Sequence, residues 1–224
     1  MARLDAPQRD ALRWAFHAGI GEADAVMSKL LGEEVALSVP RLNLMSSAEA
    51  ARHLGSTNAG LYRVRQPFRK GAFNGDALFV FPGFRSLDIV RTAVDRLVEE
   101  GTLSSMEQDA MAVVGHIILN SCISTVSQLV CKDVSRGFLS LELGDGEKIL
   151  GTTIRGHWAL FLRTTFSLQS GPIESFVVFV LNTASLDALC AALSNRTNDV
   201  PLSSHFSSAK ANNCELFKRF DAFR

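Results

Sequence analysis

Two aspartate–histidine pairs with the same spacing are the residues of this sequence best suited to chemistry. Asp10 precedes His17 by seven residues, and Asp109 precedes His116 by seven residues. Seven residues span about two turns of an α-helix, so the two members of a pair would share one helix face. An imidazole there can orient a water molecule or transfer a proton through either ring nitrogen. The same histidines could instead contact a partner without chemistry, or be purely structural; the sequence leaves all three interpretations open.

Four further residues on these predicted helix faces are candidates for partner binding: Trp14, Asp24, Val113 and Asn120. A tryptophan on an otherwise polar face is unusual unless another chain or another element covers it. We therefore consider two roles for Trp14, an interface anchor or a side chain covered by a neighbouring loop or by the C-terminal segment.

Other catalytic patterns are absent from the sequence. It has no phosphate-binding glycine loop, no G-x-S-x-G nucleophile motif and no paired-histidine metal motif. The four cysteines (Cys122, Cys131, Cys190 and Cys214) include no C-x-x-C pair, a pattern typical of free thiols in a reducing compartment. We expect no metal and no cofactor.

A basic run accompanies one predicted strand. Arg63 and Arg65 alternate along the strand, and Arg69 and Lys70 continue the run into a turn. Alternate residues of a strand share one face of its sheet. We interpret this run as a solvent-exposed sheet face rather than a phosphate site.

An internal repeat at an offset of 99 residues determines where these candidates lie. The shift superposes the two aspartate–histidine pairs without a gap, and it places Ser86–Asp88 on the identical tripeptide Ser185–Asp187. The period is too long for a solenoid. We predict an α/β (α+β) fold with two copies of a helix–strand–strand–strand–helix unit, about residues 8–100 and 105–193, related by a pseudo-two-fold axis.

The hydrophobic periodicity predicts the elements of each copy. The predicted helices are Pro7–Leu31, 46–55, Ser86–Glu99, Met106–Val130 and Ser185–Leu193. The predicted strands are Val35–Leu44, Gly60–Phe68, Ala77–Phe81, Phe138–Leu143, Trp158–Leu168 and Ser175–Leu181. We expect Gly32 to end the first helix, a turn over Gly71–Asp76, and serine N-caps at Ser86 and Ser185. The single domain would end near residue 193. Residues 194–224 would form a polar linker and a C-terminal segment that packs on the domain or docks a partner.

The run from Ala18 to Gly32, followed by Val35–Pro40, resembles the CheC/CheX/FliY family of chemotaxis phosphatases. The second long helix and the block ending in Ser185–Leu189 resemble the second half of that family. The resemblance covers most of residues 8–193 and implies a CheC-like fold. It also implies a partner, a CheY-like receiver domain whose phosphorylated aspartate the family hydrolyses.

The active-site pattern of that family is only partly kept. In the family an asparagine orients the attacking water and a glutamate pairs with a receiver lysine, so catalysis rests mainly on positioning. Trp14 and Val113 stand at the two glutamate positions, and His17 and His116 stand at the two asparagine positions. The downstream proline of the first copy is present as Pro40. Both copies have therefore lost both catalytic side chains.

The resemblance implies a chemotaxis or two-component signalling protein that binds a CheY-like receiver, with its phosphatase activity lost or altered. One alternative is an active phosphatase that uses the histidines with Asp10 or Asp109. Another is a scaffold, either in a flagellar-switch complex or as a partner of a CheD-like protein.

The composition excludes several other classes. With 23 basic and 23 acidic residues the chain has no net charge, so we expect no nucleic-acid partner. Hydrophobic residues make up 47% of the chain, which excludes global disorder. The longest apolar runs, such as Phe176–Leu181, are too short to span a bilayer, and the N-terminus lacks an apolar signal core. We expect a cytoplasmic protein.

Overall fold

The computed structural model describes residues 4–55, 61–82, 105–131, 133–150, 157–168 and 171–198. Its helices are α1 (Ala6–Leu31), α2 (Ser47–Gly55), α3 (Ser105–Leu129), α4 (Gly146–Leu150) and α5 (Thr183–Asn198). Its strands are β1 (Ala36–Ser46), β2 (Leu61–Lys70), β3 (Phe73–Pro82), β4 (Ser135–Arg136), β5 (Ser140–Gly144), β6 (Trp158–Leu168) and β7 (Gly171–Leu181). The predicted helix Ser86–Glu99, Cys214 and the segment 199–224 lie outside the described residues.

All of these strands pair antiparallel in one sheet, in the order β1-β6-β7-β3-β2-β4, with β5 also beside β2. The predicted α/β class is confirmed. The predicted repeat equates β1 with β5, β2 with β6 and β3 with β7. With β5 taken as the strand beside β2, the order from either edge is then first, second, third, third, second, first. The first strand of each half lies beside the second strand of the other half. This order agrees with the pseudo-two-fold repeat, which remains a prediction about the origin of the chain.

Helices cover both faces of the sheet and create two hydrophobic cores. The larger core lies between the sheet and the helices α1, α3 and α5, and it includes Phe16, Phe79 and Phe179. The smaller core lies under α2 and α4, around Leu54 and Val178. The long helices that carry the candidate residues therefore lie on one side of the sheet.

Helix α1 has clear signals at both ends. Asp5 and Gln8 form a reciprocal capping box, in which the Asp5 carboxylate accepts a hydrogen bond from the Gln8 backbone N–H at 2.7 Å. Gly32 ends the helix with a left-handed φ of 71°, as the sequence predicts. Between these ends the predicted apolar stripe is buried, including Leu12 and Ile20.

Helix α3 is more apolar than α1. Among the described residues it is the one helix long and apolar enough to cross a membrane, but 72% of its apolar window is buried inside the protein. It packs on α1 and on the sheet. The apolar composition of α3 is therefore explained by its place in the larger core.

Two strand predictions are wrong in detail. The predicted strand Phe138–Leu143 is present as β5, but it begins only at Ser140, after a gap that separates it from the end of β4 at Arg136. Phe138 falls in the gap with 98% of its surface exposed. The turn predicted over Gly71–Asp76 is only two residues long. Gly71 adopts a positive φ of 58°, which lets β3 begin already at Phe73.

The N-cap predicted at Ser185 is also wrong. Helix α5 begins at Thr183, and the side-chain oxygen of Asn182 accepts a hydrogen bond from the Ser185 backbone N–H at 2.7 Å. Asn182 is thus the capping residue. The Ser185 hydroxyl instead accepts from the backbone N–H of Asn74 and donates to its carbonyl oxygen. The helix continues to Asn198, beyond the domain end predicted near residue 193.

Candidate functional site

Helix α1 presents Asp10, Trp14 and His17 on one exposed face. The Trp14 side chain is a large apolar surface in a polar setting, and 41% of it is exposed. Asp10 forms a salt bridge of 3.3 Å with Arg13 on the same helix. Exposed ion pairs of this kind contribute little to stability.

Asp24 lies further along this face, but it also has a structural contact. Its carboxylate is half-buried and accepts a hydrogen bond from the backbone N–H of Leu37 at 3.0 Å. Burial raises the pKa of Asp24, while the Leu37 hydrogen bond and the nearby His17 oppose that rise. One turn later, the Ser28 hydroxyl accepts from the Val35 N–H at 2.9 Å. Asp24 and Ser28 thereby fasten the end of α1 to the start of β1.

The equivalent face of α3 is more enclosed. Asp109 is exposed near the start of the helix, Val113 and His116 are half-buried, and Asn120 is buried. Burial lowers the pKa of His116, and the positive charge of Arg136 lowers it further. His116 is therefore mostly neutral at pH 7.

Arg136 connects this face to the edge of the sheet. Its guanidinium donates to the Ser124 hydroxyl of α3 at 2.9 Å. Burial lowers the pKa of Arg136, and Asp133 partly offsets the effect. His116 thus sits beside a cation, whereas His17 sits beside the carboxylate of Asp24.

The two faces differ in what they can do chemically. A neutral His116 can accept a hydrogen bond from water, but its half-buried ring limits access. In the described part of the chain, no three His, Cys, Asp or Glu side chains are grouped to hold a metal ion. Each face carries a histidine where the family has an amide, and neither carries the family's docking carboxylate at Trp14 or Val113.

The sequence reasoning missed a cleft of about 950 Å³ on the other face of the sheet. Arg63 lines it with only 7% of its surface exposed, so the prediction of a solvent-exposed basic face is wrong at this residue. Its guanidinium bonds the Ile149 carbonyl and the Glu142 carboxylate. The alternation of Arg63, Arg65 and Arg69 was the available sequence signal, but the strand and helix that enclose them lie far along the chain.

Comparison with known proteins adds a fold assignment. No protein-family model and no curated protein sequence matches the chain. FliY of Thermotoga maritima superposes with a TM-score of 0.68 at 12% identity, covering 87% of this chain and 100% of that one. A chain of the FliM–SpeE complex of H. pylori gives 0.66 at 9% identity, covering 88% and 100%. CheX of Vibrio vulnificus gives 0.50 at 13% identity, covering 75% and 97%. The protein therefore has a CheC/CheX/FliY-like fold, as the sequence resemblance implied.

Proposed function

We propose that this protein is a chemotaxis-related binding protein that docks a CheY-like receiver domain on the exposed face of α1, without the family's phosphatase activity. The observation that carries the proposal is Trp14. It is 41% exposed at the helix position where the family has its docking glutamate.

The surroundings of Trp14 suit an interface. Asp10 and His17, one turn away on either side, are both exposed and give the indole a polar rim. Exposed aromatic residues with polar surroundings are the usual energetic centres of protein interfaces. On α3 the equivalent Val113 is half-buried and Asn120 is buried. We therefore infer one docking helix rather than two.

The loss of activity follows from the residue types. Hydrolysis of an aspartyl phosphate needs a held water and a precise approach, which the family obtains from an amide and a carboxylate. His17 and His116 replace the amides, and Trp14 and Val113 replace the carboxylates. A receiver partner also implies a cytoplasmic location.

Binding tests the docking proposal. The full chain is titrated with a CheY-like receiver from the same genome, with and without acetyl phosphate. We expect Trp14→Ala to weaken binding about 10- to 100-fold, the usual loss for an interface aromatic. Phe138→Ala is the matched control, because Phe138 is also an exposed aromatic but lies outside α1. Unchanged affinity in W14A would remove α1 from the interface.

Phosphate release tests the loss of activity. The phosphorylated receiver should lose phosphate at the same rate with and without the protein. Acceleration would instead favour the enzymatic alternative. In that case H17A and H116A, tested singly and together, would identify the histidine involved.

A second candidate function, a scaffold in a flagellar-switch assembly, is favoured by the superpositions. FliY and a FliM middle domain from Vibrio cover 87% and 83% of this chain with TM-scores of 0.68 and 0.60. One neighbouring structure is a FliG–FliM complex. A scaffold role predicts co-purification with a switch component or a CheD-like protein that persists in W14A, together with no binding of the receiver.

A further inference from the structure

The cleft on the sheet face away from α1 and α3 collects positive charge. Arg63, Arg65 and Arg69 occupy alternate positions of β2, so their side chains share one face. The intervening Val64 and Phe68 belong to the larger core on the opposite face. The arginines therefore line the cleft rather than the surface that carries the candidate docking helix.

The charges in the cleft do not balance. Lys148 of α4 and Arg136 of β4 join the three arginines, whereas the acidic side chains that line the cleft are Asp76 and Glu142. Arg65 pairs with Asp76 at 2.9 Å, and Arg63 pairs with Glu142. The cleft therefore holds an excess of three positive charges in a chain with no net charge.

Three buried polar atoms at this cleft are unsatisfied. Nε of Arg63, Nε of Arg136 and Nδ1 of His157 have no hydrogen-bond partner among the described residues, and all three residues line the cleft. Arg63 is more than nine-tenths buried. A buried donor without an acceptor carries a desolvation cost, which a bound oxyanion would relieve.

We propose that this cleft binds a phosphate-bearing small molecule. A phosphate monoester carries a charge close to −2 and several acceptor oxygens, which suit a cleft with excess positive charge and arginine donors. The volume of about 950 Å³ lies in the range of small-molecule sites and exceeds what free phosphate needs. Asn74 and Asn182 also line the cleft, where the Asn182 amide donates a hydrogen bond to the side-chain oxygen of Asn74 at 3.2 Å.

Calorimetric titration of the full chain at constant ionic strength tests this site. The probes are inorganic phosphate, pyrophosphate and ADP. We expect pyrophosphate or ADP to bind, and Arg69→Gln or Lys148→Gln to weaken that binding at least tenfold. Arg163→Gln is the matched control, because Arg163 lies on β6 of the same sheet, pairs with Glu174 and does not line the cleft.

The outcomes separate the ligand sources. Tighter binding of ADP than of pyrophosphate would identify a nucleotide, and equal binding would identify the phosphate groups alone; both support the site. Absence of binding by all three probes, or an equal loss in R163Q, would overturn it. Binding of a poly-glutamate peptide in place of the phosphate probes would also overturn it, in favour of an acidic protein segment. W14A should bind the probes normally, so this test is independent of receiver docking.

Discussion

His17 and His116 stand 99 residues apart at positions that the predicted repeat equates, but their surroundings differ. His17 lies exposed beside Asp24, whereas His116 is half-buried beside Arg136. The same residue type at the same position therefore has two chemical characters.

The environment of His116 predicts a pH dependence of stability. Its folded pKa lies below the ordinary value of 6.5, so the unfolded chain binds a proton more readily. The free energy of unfolding should therefore fall as the pH drops from about 6.5 towards the folded pKa. His116→Gln should flatten this slope in urea titrations between about pH 5 and 7. His17→Gln retains the His116 contribution and serves as control; an unchanged slope in H116Q would contradict the assignment.

The contact between Asp24 and Leu37 predicts a stability difference between two substitutions. Asp24→Ala leaves the Leu37 N–H without its acceptor and should lower the free energy of unfolding by about 1–3 kcal/mol. Asp24→Asn keeps a side-chain oxygen and removes a partly buried charge, so its stability should equal or exceed that of the wild type. Urea unfolding at pH 7 measures both variants. Equal losses in D24A and D24N would show that the hydrogen bond is not what matters.

At the scale of elements, the long helices and strands could be predicted from the hydrophobic pattern, but some strand ends and helix caps could not. Helix α1 was predicted within a residue because a capping box, an apolar stripe and Gly32 all agree. The strand start at Phe138 was missed because β2 pairs with β5 only as far as Arg65 and with β4 only from Phe68, and Pro67 between them has no backbone N–H to donate. Ser185 failed as a cap because its hydroxyl contacts Asn74, more than 100 residues away.

The candidate site residues were also predicted only in part. The helical spacing placed Asp10, Trp14 and His17 correctly on one face of α1. Burial of Asn120 and Arg63 could not be read from spacing, because it depends on elements that pack against them from elsewhere in the chain. Tertiary contacts, not local pattern, determine which polar residues are buried.

The close contact between α1 and α3 predicts how two glycine substitutions in α1 affect stability. A Cβ atom at Gly19 would lie 1.9 Å from Oγ1 of Thr125, so the Thr125 side chain or the helices must shift to admit it. Gly19→Ala should lower the free energy of unfolding by about 1–3 kcal/mol, as overpacking does. Gly21→Ala is the control, because no atom lies within 4 Å of its Cβ position and alanine favours the helix. Urea titration should therefore rank G21A above the wild type and G19A below it.

A partner substitution completes this test. Thr125→Ala removes the oxygen that Gly19→Ala would meet, although it also removes a hydrogen bond from the Thr125 hydroxyl to the Ser121 carbonyl. The double variant should recover part of the loss caused by G19A. Strict additivity of the two single losses would mean that the contact is not the cause.

At the scale of the whole molecule, the N-terminal and C-terminal halves of the chain form one sheet. The first strand of each half pairs with a strand of the other half. β1 pairs with β6, β5 pairs with β2, and β3 pairs with β7 at the centre. Neither half can complete its sheet alone. The molecule should therefore unfold as one unit.

The two tryptophans report on this cooperativity. Trp14 lies in the first half and Trp158 in the second, so W14F and W158F each leave one fluorescent probe. For each variant, the urea midpoint by tryptophan fluorescence should coincide with the midpoint by circular dichroism. Both signals follow the unfolding of the same variant, so a difference between the two midpoints would mean that the halves unfold separately.

The pairing of strands between the halves also affects how the protein is made. β1 ends at Ser46, but its partner β6 ends only at Leu168, so synthesis must add the intervening chain before the two can pair. At ordinary elongation rates this takes about 6–25 s. During that time the nascent first half presents an unpaired strand and the uncovered apolar side of α1, both of which favour aggregation. A ribosome-associated chaperone that shields such surfaces would therefore raise the yield of folded protein.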